Sequence, residues 1–343
     1  MGSSTYFGRS VGITQDKIVV GSYEADIQGV GNNRGAVYTY NLDGTGEVKI
    51  PTPTGGSGDD FGWSVGAFYS TADSTSKLVV GAPFYEPSGF SSSGIAYIFN
   101  ADGTNQVTLD ADVIANNNRF GYSVAAGGGK VAVGAYGYST YQGAVFIYDE
   151  DGTNRIKVTA SDAANYDYFG FSVAIANNKL IVGAYGHEDT GSAKGCVYVY
   201  NLDGTGEVKI QASDGVNSDV FGYSVAADSN KILVGAYGVD TGGSTAGAAY
   251  LFNYDGTGEI KFQSGSVQGG ANFGRGALLV DGETIIVGSF SHDGNAANAG
   301  LLEKFIYDSD AGTVTYDSDL PIPIAGSAYV GDSQGGNLSL IHI

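Results

Sequence analysis

Few residues in this chain could do chemistry, and they are scattered. His187 lies in GHEDTG beside Glu188 and Asp189, and His292 lies in SHDGN beside Asp293. A histidine next to a carboxylate can serve as an acid–base pair or a metal ligand. The two fall in repeats that are not neighbours, so both read as solvated loop residues, with His187 kept as a ligand-contact candidate. Cys196, the only cysteine, begins an apolar run where Ala36 and Ala144 stand in sister runs, which reads as a small buried thiol. No nucleophile elbow, no CxxC pair and no phosphate-cradling loop ahead of a helix is visible. What remains is aromatic. Tyr23, Tyr136, Tyr185, Tyr237 and Phe290 each follow Val-Gly-[Ala/Ser], and Pro83 breaks the series before Phe84-Tyr85. Such rings, Tyr85 included, can stack on sugar faces or anchor a peptide. They can equally form a structural cage, each packing on the Phe of a Phe-Gly pair.

The elements that position these residues follow from a repeat. Phe-Gly pairs occur at Phe7-Gly8, Phe61-Gly62, Phe120-Gly121, Phe169-Gly170, Phe221-Gly222 and, decayed, at Phe273-Gly274. After each comes an apolar run ending in glycine (KIVVGS, KLVVGAP, KVAVGAY, KLIVGAY, KILVGAY, TIIVGSF), then GAVYTY-like and GEVKI-like runs. YNLDGTGEVKI appears twice, at 40–50 and 200–210. Each unit therefore holds four strand-length segments, with Asp-Gly or Asn-rich corners that tolerate the positive φ of tight hairpins. Four antiparallel strands at a period near fifty residues predict an all-β propeller blade. Six units are expected at 6–50, 61–109, 120–158, 169–210, 221–262 and 273–317, within one propeller domain over 1–320. Residues 321–337 read as a linker or a broken seventh unit, which leaves six or seven blades open.

The tail LSLIHI (338–343) is what CTGTCTCTTATACACATC encodes, the end sequence of a transposon used to build DNA libraries. These residues are read as adapter read-through, with the natural chain expected to continue. Glycine is abundant, 56 residues of 343, against roughly 7% in average usage. That abundance beside 24 Tyr and 16 Phe suits many short strands and tight turns. The formal charge is −20, from 36 acidic and 16 basic residues. So acidic a surface repels phosphate backbones and anionic lipid, so neither nucleic acid nor an electrostatically held membrane is an expected partner. No secretory signal, transit peptide or membrane-spanning apolar run is visible.

The series FGxSV, VVGAP and GxVYVY resembles the FG-GAP repeat of integrin α-subunit propellers and of microbial surface proteins, including marine bacterial and phage types. The resemblance implies a propeller whose ligand face is built from the strand two–three and four–one loops. It also implies calcium loops of the D-x-[DN]-x-DG kind between strands one and two. The corners here, such as IANNK and AADSNK, lack three alternating carboxylates, so no metal ligand or cofactor is carried over. Calcium is left only to the acidic loops before strand one. The longest variable loops, Ser22–Arg34 and Ala82–Ser93, read as recognition loops. The expectation is a non-catalytic binding or adhesion module, extracellular, on a cell surface or a virion, with a surface protein or glycan as partner. The alternatives are a polysaccharide-acting enzyme on the same scaffold and a structural spacer in a fibre or viral tail.

Overall fold

The structure, a computed structural model, describes residues 6–25, 34–53, 58–188, 193–280, 282–292 and 300–320. Among them, the β-branched and aromatic runs form six four-stranded antiparallel sheets, each a meander in chain order. Unit four gives the plan: Ser172–Ala176 pairs with Lys179–Ala184, then Cys196–Asn201, then Val208–Ile210. The corner between its first two strands is Asn177-Asn178, with φ of 50° and 54°, the left-handed geometry a two-residue hairpin needs. Its two middle strands are buried almost throughout. A sheet covered on both faces reads as a continuous apolar run, and this is why LIV and VYVY do not alternate with polar residues.

Radial order follows from the innermost strands. Phe7–Ile13, Ser64–Ser70, Ser123–Gly127, Ser172–Ala176, Ser224–Ala227 and Phe273–Val280 all line one cavity of about 150 Å³. Six strands around a shared cavity place the sheets about one axis, as propeller blades.

The Phe-Gly motif joins neighbouring blades. Phe169 is fully buried, with its ring edge-on to Tyr198 at 5.5 Å and Tyr200 at 6.1 Å, and it packs against Val145 and Ile147 of the blade before it. Burying such a ring stabilises by about 1.5–3 kcal/mol. The serine of FGxSV reaches forward: Ser172 Oγ donates to the Gly222 carbonyl at 2.9 Å. The same bond runs from Ser10 to Gly62, Ser64 to Gly121, Ser123 to Gly170 and Ser224 to Gly274. Contact this close needs glycine on the facing strand, since a Cβ on Gly183 would sit 2.0 Å from the Gly222 oxygen. Each Phe from unit two onward also bridges in parallel to the glycine just before the third strand of the preceding blade, as Phe221 does to Gly195.

The first copy of the motif departs from this pattern. Phe7 is 54% exposed, where the other five phenylalanines are buried, and a Cβ on Gly8 would meet nothing within 4 Å. Among the described residues no parallel bridge ties Phe7 to a preceding blade, and its ring lies edge-on to Tyr38 of its own blade at 5.4 Å. The spelling repeats, but the environment that makes the residue a core residue does not.

Candidate functional site

Because every blade is an antiparallel meander, its strand one–two and three–four corners share one end of the ring. The strand two–three loops and the links between blades share the other. The first is a turn end, where the strand three–four corners use one chemistry five times. In Asp203-Gly204-Thr205, the Thr205 amide and hydroxyl donate to Asp203 Oδ1 at 3.0 and 2.6 Å. The same two bonds recur at Asp43, Asp102, Asp151 and Asp255. The threonine hydroxyl, then its amide, hold each of these carboxyls below the usual range. These acids are occupied in bracing their own turns.

The other end is a loop end, and an aromatic layer caps it. The residue after Phe-Gly in units two to five, Trp63, Tyr122, Phe171 and Tyr223, is buried in one shared aromatic cluster. Around them stand residues from the end of strand two: Tyr23, Phe84, Tyr136, Tyr185 and Tyr237. Ring centroids lie 4.5 Å apart for Tyr122–Tyr136, 4.6 Å for Phe171–Tyr185 and 4.6 Å for Tyr223–Tyr237. Units one and six place arginines, Arg9 and Arg275, at the same position in the motif. The Arg9 guanidinium lies 4.1 Å over Trp63, and that of Arg275 lies 4.4 Å over Phe290. The tyrosines after Val-Gly therefore pack on the residue after Phe-Gly, not on its Phe, which is occupied within its blade and against the blade before. Tyr23 is 4% exposed and cannot stack on a ligand. Tyr136, Tyr185, Tyr237 and Phe290 are half-buried. Tyr85 stands apart from the layer, pinned by its amide to the Ala82 carbonyl at 3.2 Å and by its own carbonyl to the Gly94 amide at 3.1 Å.

The histidines correct the sequence reading. Both are buried, not solvated, because they fill the position that Val239 fills in unit five. His187, 3% exposed, has Nε2 2.7 Å from Lys209 Nζ and Nδ1 3.1 Å from Asp167. Lys209 also pairs with Asp162 at 2.9 Å, and the Tyr198 hydroxyl donates to Asp162 at 2.6 Å. Burial alone would raise the Asp162 carboxyl, but these two donors hold it below its usual range. Unit five repeats the arrangement without a histidine, through Lys261, Asp214 and Tyr250. The network thus ties blade four to the link that enters it from blade three. Burial drives the Cys196 thiol far above its ordinary value, which leaves it un-ionised. Among the described residues, no three or more His, Cys, Asp or Glu side chains cluster so as to hold a metal. The axial cavity is lined by Val, Ala, Gly, Leu, Ile, Ser, Trp and Tyr with Arg9, and by no carboxylate. The Ser22–Arg34 loop lies mostly outside the described residues.

One group at the loop end was not anticipated. In the strand two–three loop of unit three, Tyr138–Tyr141 coil into a single turn with left-handed residues, with φ/ψ of 51°/60° at Ser139 and 59°/43° at Thr140, and φ of 61° at Tyr141. A run of such residues is costly for L-amino acids, most of all for β-branched threonine. The turn is clamped to the link before blade four, whose Tyr168 amide donates to the Tyr141 carbonyl at 2.9 Å and whose Phe169 amide donates to that of Gln142 at 3.2 Å. The clamp stacks Tyr141 on Tyr166, with centroids 5.8 Å apart and planes 16° from parallel. Tyr168 stands edge-on to Tyr141 at 5.6 Å and stacks on Tyr185 at 4.8 Å. The tyrosine density of STYQ and NYDYFG was the available signal, but spacing alone does not bring the two stretches together.

A family model for the FG-GAP repeat matches residues 2–40, 153–200 and 205–252. No curated protein matches the chain.

Proposed function

We propose that this FG-GAP repeat chain is a non-catalytic binding or adhesion module that meets its partner, at a cell surface or on a virion, through the loop end of its propeller. One observation carries the reading: the two ends of the same blades are built differently. The strand three–four turns repeat one self-satisfied hydrogen-bond motif in five blades, whereas the loop end keeps one backbone bond, from the glycine before strand three back into its loop, and varies the loops' length and side chains. Rigid scaffolds with variable loops at one end are a common way to build recognition surfaces. Several weak contacts on neighbouring blades add through a shared scaffold, so no single deep site is required. Acid–base catalysis finds little support, since the axial cavity offers no carboxylate, His187 sits in the Asp167–Lys209 network and His292 Nε2 lies 3.0 Å from the Ser266 carbonyl.

The test exchanges ends. One chimera replaces the loop from Phe84 to Ser92 and the turn from Tyr138 to Gln142 with the corresponding loop of unit five. A second replaces the Asp-Gly turns with Asn-Gly. Binding to cells, glycans and immobilised surface proteins should fall for the first and persist for the second. Equal binding by both chimeras would remove the loop end from the account, and a chain that binds nothing but assembles through an edge or face would favour the spacer reading.

A further inference from the structure

The left-handed positions before each Phe-Gly pair are a property of the fold, and the residues that fill them differ in an informative way. Two residues before the one that precedes Phe, φ is positive in five links: Gly58, Asn117, Tyr166, Ser218 and Gly270. Glycine suits this geometry, and asparagine and serine tolerate it far better than an aromatic. Only at Tyr166 does a bulky ring occupy it, and that ring is 55% exposed, so core packing does not compensate the strain. Opposite it, Thr140 and Tyr141 are left-handed in the strand two–three turn of unit three, where Thr140 is exposed and Tyr141 half-buried. Sequence choices that work against local conformation without a folding gain mark functional positions.

We infer that Tyr141, Tyr166 and Tyr168, with Gln142 and Asn165 beside them, form a stacking platform for a neutral oligosaccharide. The inference rests on the binding-module reading and names the ligand class of its loop end. Stacked phenol faces offer apolar, polarisable surface to the C–H face of a pyranose ring. The amides supply what a sugar hydroxyl needs: Gln142 Nε2 reaches Asn165 Oδ1 at only 3.4 Å, a loose bond that ligand hydroxyls can replace. The ionised groups nearby are turned away or paired. Asp167, between the two tyrosines, is buried and accepts the Ala164 amide at 2.7 Å, and Lys157 pairs with Asp112 at 2.7 Å. Burial, then the neighbouring phenols Tyr141 and Tyr166, raises Tyr168, so its hydroxyl stays neutral. A site without a free charge, on a chain of net charge −20, disfavours sulfated or uronic sugars and leaves neutral ones.

The probes are neutral β-glucan and galactan oligosaccharides of four to six sugars, with a sulfated galactan and a cationic peptide beside them, titrated against the chain and its variants. Binding of a neutral oligosaccharide should weaken about tenfold or more in Tyr166→Ala and in Tyr141→Ala, the loss of one stacked ring. Tyr166→Phe should retain binding, which a role for the hydroxyl would not allow, and the thermal transition of each variant reports its folding. No neutral sugar bound, or unchanged binding by folded Tyr166→Ala, overturns the platform. Preference for the cationic peptide, lost in the same variants, overturns the sugar while leaving the loop end as a binding face. Partners that bind with both loops exchanged overturn that broader reading as well.

Discussion

The two ends of the propeller use the same backbone to different purposes. At the turn end, five Asp-Gly corners place threonine on aspartate with nearly equal bond lengths, and residue type and geometry repeat together. At the loop end the geometry repeats while the residues change, so one left-handed position is glycine in two links and Asn117, Tyr166 or Ser218 in the others. Where type and geometry repeat together, the residue serves the fold. Where geometry repeats and type does not, the fold has been satisfied and another requirement is free to act. A residue that geometry disfavours, as at Tyr166, is where that other requirement is easiest to see.

The largest effect should come from the frame that both ends share. Phe169→Ala is expected to cost about 3–5 kcal/mol in denaturant titration, while Phe7→Ala, at the uncovered face of blade one, should cost under about 1 kcal/mol. Equal costs would mean that Phe7 is covered and the first blade has been misread. The next effect sharpens the loop end alone. Burial, then the charges of Glu24 and Asp59, push Asp60 up to about 7, against the opposing pull of Arg9 and Arg119. Its folded form keeps a proton that the unfolded chain releases near 3.8, so stability falls as pH rises from about 4 to about 7. Asp60→Asn should match the parent below pH 4 and exceed it by about 1–3 kcal/mol above pH 7, read from melts across pH. Smaller still, Tyr166→Asn should raise stability by up to about 1 kcal/mol through relief of left-handed strain. A loss of stability there would mean that the ring serves the fold after all. Smallest, Asp151→Ala at the turn end should lower Tm by under about 2 °C, since the bonds it makes are exposed to water.

Most of the fold was legible because the repeat carries it. The VVGAY-type runs gave the buried second strands, and Asp-Gly and Asn-Asn gave the corners, since both signals are local in sequence. The reason for the serine in FGxSV was not legible. Its partner is a carbonyl about fifty residues ahead, and only the packed ring brings Ser172 to Gly222. The exposure of Phe7 was hidden for the related reason that a motif spells a residue but not its neighbours. The candidate site was read less well. The aromatic series after Val-Gly was found, yet its burial depends on Trp63, Tyr122, Phe171 and Tyr223, which carry no shared letter to draw attention. His187 looked like a loop residue because its neighbours in sequence are polar, whereas its neighbours in space are Lys209, Asp167 and Tyr198. Tyr141 and Tyr166 were missed because a left-handed turn in STYQ runs against every local preference.

That contrast between ends reduces to one comparison. Bind the parent, a Tyr141→Ala/Tyr166→Ala variant and an Asp151→Ala/Asp203→Ala variant to the same cells or oligosaccharide, with folding of each verified by its melt. The account predicts that the tyrosine pair loses at least about tenfold in affinity and the aspartate pair loses nothing measurable. Loss confined to the aspartate pair, or full binding by the folded tyrosine variant, would contradict it.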